Sequence, residues 1–182
     1  MRYRIGIGLL SLTLLFGSCS FPAATSPTKA RIDGNEVIRH AGEFVSPNRK
    51  CHATLMVSSM GGFLILTLEG DPSRQAKDVT GMVWISDGML VYTTSPIYGN
   101  PGVYVYSCES RQTKLIVRPR TLTKAYPDGA DYFQLKGIST ARPATIYFYY
   151  GPDVDAVDMK NIESPKFLYK VHIDGTGLGK SQ

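Results

Sequence analysis

Short apolar runs rich in β-branched and aromatic residues recur along most of this chain, separated by links bearing Gly, Pro, Asn and Asp. That punctuation restricts the fold more than any other feature. A strand turns successive side chains to opposite faces, so runs this short suit strands and are too short for packed helices. Beyond about residue 36 no stretch sustains a helical period with caps. The runs Ala53 to Val57 and Phe63 to Leu68 flank a Gly-rich link and predict a hairpin. Gly70 to Ser73 reads as a turn. Met82 to Ile85 and Met89 to Thr93 flank Asp87-Gly88, a pair that tolerates positive φ and suits a tight hairpin. Ser95 to Gly102 holds two prolines and two glycines and predicts an irregular loop with Tyr98 at its tip. Val103 to Tyr106, Leu115 to Val117, Asp131 to Leu135, Thr145 to Tyr150 and Phe167 to Ile173 continue the series. A short helical turn at Val154 to Met159 is the one helical candidate.

These segments predict an all-β domain of about nine to eleven antiparallel strands. It would be built as a small sandwich or an incomplete propeller-like arrangement. It occupies residues 36–182, a length sufficient for one core.

Ahead of that domain lies an address. Arg2 and Arg4 precede a short apolar run, Ile5 to Phe16, followed by the small residues Gly17 and Ser18. This is the layout of a secretory signal. The run is about a dozen residues, against the roughly 20 that cross a bilayer as a helix. Residues 20 to 35 are rich in Pro, Ala, Ser and Thr and bury little, so they read as a flexible tether.

The segment Leu15-Phe16-Gly17-Ser18-Cys19 resembles a bacterial lipobox. The resemblance implies removal of residues 1–18 and acylation of Cys19, with residues 19–35 as lipidated N-terminus and tether. Ordinary secretion with cleavage after Ala23 or Ala24 is the alternative. Ser20, where an Asp would signal retention, implies sorting to the outer membrane. The membrane is then a partner through the lipid anchor, and two or three acyl chains would make attachment effectively permanent.

Setting Cys19 aside leaves Cys51 and Cys108. An oxidising compartment favours a disulfide between them, with two buried thiols as the alternative. Loss of Arg2 and Arg4 leaves eighteen basic and fifteen acidic residues, a net charge of +3. No block of like charge appears, which gives nucleic-acid binding no support.

Two stretches resemble blades of exported β-propellers of the TolB type. The first runs Trp84 to Thr94, Gly99 to Tyr106 and Lys114 to Ile116; the second runs Phe167 to Leu178. The resemblance implies four-stranded antiparallel blades and a binding rather than a catalytic role. At about 40–45 residues per blade, the domain holds only about three.

No catalytic motif is found. There is no Gly-x-Ser-x-Gly elbow and no phosphate-binding glycine loop. His40, His52 and His172 stand apart and read as structural or surface residues. No cofactor is expected. Asp153, Asp155 and Asp158 form the one cation candidate, for calcium, but they lack the EF-hand spacing and turn glycine. Tyr147-Phe148-Tyr149-Tyr150 must place two aromatics on each face of a strand. Tyr98, Tyr147, Tyr149 and Tyr150 are therefore the candidate binding residues, because tyrosine combines contact area with a polar tip. The expected function is a non-catalytic protein-binding or scaffold module of the cell envelope, facing the periplasm or the surface. An inhibitor or immunity lipoprotein against an exported enzyme, and an envelope hydrolase with an unrecognised site, are the alternatives.

Overall fold

A computed structural model describes residues 36–85, 88–122, 131–152 and 167–181. They form three four-stranded antiparallel sheets, each a meander of consecutive strands. The first contains β1 (Gly42–Val45), β2 (His52–Val57), β3 (Leu64–Leu68) and β4 (Asp71–Lys77). The second contains β5 (Val79–Ile85), β6 (Met89–Thr94), β7 (Gly102–Ser107) and β8 (Gln112–Val117). The third contains β9 (Asp131–Ser139), β10 (Thr145–Pro152), β11 (Phe167–His172) and β12 (Gly179–Lys180). The fold is all-β, and no sheet closes into a barrel. A small sandwich or an incomplete propeller both describe it.

The second sheet lies between the other two, and its strands show why. Every residue of β5 except Thr80 is buried, and every residue of β6 except Met89. A strand covered on one face alternates, whereas one covered on both reads as a continuous apolar run. Met82, Trp84, Leu90, Tyr92 and Tyr106 pack with Phe44, Leu55, Leu66 and Leu68 of the first sheet. Val83, Ile85, Val91, Val103, Val105 and Val117 pack with Phe133, Leu135, Ile146, Phe148, Tyr150 and Val171 of the third. The middle sheet thus divides the interior into two cores. In the third, Phe133, Phe148, Tyr150 and Tyr169 interlock with ring centroids 4.9 to 6.0 Å apart.

One end of the domain is stapled. Cys51, just before β2, is bonded to Cys108, just after β7, and links the first sheet to the second. The β1–β2 turn holds Cys51 in place: its N–H donates to Ser46 Oγ at 3.0 Å, and its carbonyl accepts the Ser46 N–H at 2.9 Å. Gly88 enters β6 with φ +70°, and an added Cβ would run into the Asn48 side chain. The Cys108 N–H bonds back to the Gly88 carbonyl at 3.0 Å.

β9 is an edge strand, yet its outward backbone groups are not left bare. The Leu135 N–H donates to Thr93 Oγ1 at 3.1 Å, and Thr80 Oγ1 donates to the Phe133 carbonyl at 2.6 Å. Thr80 has then used its only proton, so Thr93 is the donor across the 2.7 Å contact between the two hydroxyls. Arg39 donates to the Leu135 carbonyl. Two threonines of the second sheet and one arginine of the entering chain do what a neighbouring strand would do. Ile38 meanwhile bridges to Met82 at the free edge of β5.

The structure corrects the expected turn at Gly70 to Ser73. The turn is Glu69-Gly70, both with positive φ, a two-residue hairpin link that pairs Leu68 with Asp71. Asp71–Lys77 is the edge strand β4. Pro72 is tolerated because residues 72–74 bulge out between the Leu68–Asp71 and Thr67–Gln75 pairs. Asp71 Oδ1 caps the bulge by accepting from Ser73 N–H and Oγ. With β1, β4 and the two-residue β12 included, the described strands number twelve, above the expected range. The helical candidate at residues 154–159 lies outside the described residues.

Candidate functional site

β2 and β6 both run away from the disulfide end, so the β2–β3 and β6–β7 connections emerge together at the opposite end. The β2–β3 link is a compact turn. Ser58 N–H donates to the Phe63 carbonyl at 2.9 Å, and Gly61 N–H to the Ser58 carbonyl at 3.0 Å. Gly61 and Gly62 supply the positive φ it needs. Met60 is left at its tip and Phe63 folds inward.

The β6–β7 loop is held from several directions. Buried Asp78 accepts the N–H groups of Ile97 at 3.1 Å and Tyr98 at 3.3 Å through Oδ2. Thr94 Oγ1 and Tyr104 Oη both donate to the Asn100 carbonyl, at 2.5 and 2.8 Å. Gly99 must be glycine because a Cβ there would sit 2.5 Å from the Lys77 carbonyl. The Tyr98 ring stacks on Phe63 of the β2–β3 link, with centroids 4.2 Å apart and planes at 21°. Tyr104 stacks in turn on Tyr92 at 5.1 Å, and burial raises the phenol pKa of each.

The result is a fixed apolar end. Among the described residues, the large apolar side chains most open to solvent are Met56 at 44%, Val57 at 62%, Met60 at 77%, Ile97 at 51% and Tyr98 at 50%. All five belong to these two connections or the end of the strand entering one. Single exposed hydrophobics are ordinary on a protein surface, but their concentration at one end makes that end the candidate contact surface. Its rim is basic. Lys77 is exposed beside the loop that its carbonyl touches, and Arg118 is exposed after Val117, whose carbonyl lies against Gly102.

Tyr98 therefore stands where the sequence placed it. Tyr147 and Tyr149 are partly exposed on the outer face of the third sheet. Lys170 pairs across from Tyr147, and Lys136 Nζ lies 5.5 Å from the Tyr149 ring centroid. Tyr150 does not join them. It has the opposite parity, is 1% exposed, and donates a hydrogen bond to Asp131 from within the core. A partner cannot reach it, so Tyr150 is withdrawn as a binding residue. Tyr147 and Tyr149 lie on the third sheet, away from the two loops. Cys19 and the calcium candidates Asp153, Asp155 and Asp158 lie outside the described residues. Among the described residues no three His, Cys, Asp or Glu side chains converge as metal ligands. His172 Nδ1 lies 3.1 Å from Thr145 Oγ1, His40 packs edge-on to Phe44, and His52 is exposed.

Sequence reading marked the loop that holds Ile97 but singled out none of Met56, Val57, Met60, Phe63 and Asp78. The signal for Met60 was present as an apolar residue stranded in a glycine link. Asp78 carried none.

No protein-family description, characterised protein or solved structure matches this chain.

Proposed function

We infer that this chain is a cell-envelope lipoprotein, held to the outer membrane by acyl chains on Cys19, that serves as a non-catalytic protein-binding or scaffold module. The observation that carries the reading is the gathering of exposed Met56, Val57, Met60, Ile97 and Tyr98 at the end of β2 and on the two braced loops of a disulfide-stapled domain. Tyrosine and methionine are enriched in interface cores. A loop already held in its bound shape loses little entropy on association. Tether, staple and apolar end divide the work: the first gives reach, the second fixes the frame, the third makes contact.

The test is in-cell photo-cross-linking with the probe at Tyr98 or at Glu109, an exposed residue beside Cys108 at the far end. Protein adducts from position 98 and none from 109 are expected. Adducts from 109 alone, or from neither, would refute the reading.

A further inference from the structure

We propose that the surface recognised by the apolar loop end is a polypeptide segment whose apolar residues are flanked by carboxylates. The proposal rests on the protein-binding reading above and names the partner's chemistry. Lys77 and Arg118 are exposed on either side of the β6–β7 loop, and neither makes an ion pair among the described residues. The row Met56, Ile65, Lys77 runs across one face of the first sheet, so the Lys77 charge is continuous with the apolar patch. Arg118 lies near Tyr104, whose hydroxyl fixes the same loop. Among the described residues, no carboxylate lies within ion-pairing reach of Lys77 or Arg118. Asp78 is committed to the Ile97 and Tyr98 N–H groups, and Tyr150 donates to Asp131. Glu69, bonded to the His52 N–H, and Glu109 sit at the disulfide end. An apolar centre bordered by two cations that no described carboxylate pairs is complementary to an apolar segment with an acidic border.

Anionic lipid would satisfy the same charge pattern, but the loop geometry favours a polypeptide. A fluid bilayer rewards apolar area whatever its shape. The bonds from Asp78, Thr94 and Tyr104, and the seat of Tyr98 on Phe63, serve a partner of fixed shape. The acyl chains inferred at Cys19 already supply membrane attachment.

The test uses the full chain in cells, with a photo-cross-linker at Met60 or Tyr98 and adducts mapped by mass spectrometry. Adducts on a protein, at apolar residues adjacent to Asp or Glu, are expected. Their yield should fall about tenfold in the Lys77→Glu/Arg118→Glu variant and persist in Lys77→Arg/Arg118→Lys. Should the reversed-charge variant fold poorly, Lys77→Gln/Arg118→Gln should show an intermediate fall. Protein adducts that ignore all these changes would overturn the proposed chemistry while leaving the binding-module reading intact. Adducts on lipid would overturn the choice of a polypeptide. No adduct from either position would remove the reading beneath it.

Discussion

Asp78 shows how much one side chain can organise. It is buried with φ +60°, and its carboxylate takes two backbone N–H groups from a loop 19 and 20 residues away. Hydrogen bonds to a charged acceptor are worth roughly 1.5–3 kcal/mol, and a buried donor left unpaired costs about 1–3. Asp78→Ala also places a β-carbon residue without local hydrogen bonding in the left-handed region. It should lower stability by about 2–3 kcal/mol in urea unfolding. Asp78→Asn, which tolerates that backbone and keeps an acceptor oxygen, should cost less. Identical midpoints for Asp78→Ala and the parent would show that the carboxylate does not hold the loop. Nothing in the sequence singles out Asp78, because its role exists only once two distant hairpins meet. Tyr98 was legible because the surrounding prolines and glycines forbid regular structure. The alternation in Tyr147 to Tyr150 was legible too, but not which parity faces inward. That is decided by the sheet packed against Phe148 and Tyr150.

At the scale of elements, strands with apolar runs declared themselves and polar ones did not. β4 reads Asp-Pro-Ser-Arg-Gln-Ala-Lys, and its pairing comes from β3 and a two-residue turn rather than from propensity. β1 and β12 are short and gain their partners from long-range context. The unbroken burial of β5 and β6 was visible as apolar runs, but the sheets on either side were not. The edge of β9 gives the sharpest test of how the layers join. Thr93→Val keeps shape and removes the hydroxyl, leaving the Leu135 N–H unpaired in a buried seam. The loss should be about 1–3 kcal/mol by chemical denaturation. Thr80→Val/Thr93→Val should cost less than the two single losses summed, because the hydroxyls act as one chain. An unchanged midpoint for Thr93→Val would mean that the third sheet is held by apolar packing alone.

The described residues form a stack of three meanders whose middle layer is covered on both faces along β5 and β6, stapled at one end and apolar at the other. The Cys51–Cys108 bond joins residues 57 apart, a closure that stabilises by about 2–4 kcal/mol. The staple keeps the first two sheets in register, and those sheets position the two loops of the apolar end. The sequence disclosed the class of fold, the cysteine pair and one loop of that end. It did not disclose the order of layers or the second loop, because both depend on which turns share an end after folding. The function inferred here requires the domain to be held at a lipid surface by a modified Cys19. Intact-mass spectrometry of the protein purified from native membranes tests that requirement most directly. The expected species begins at Cys19 and is heavier than its polypeptide by a diacylglyceryl group on the sulfur, with or without a third acyl chain on the α-amine; a chain that retains residues 1–18, or one that begins at an unmodified Cys19, would contradict this function.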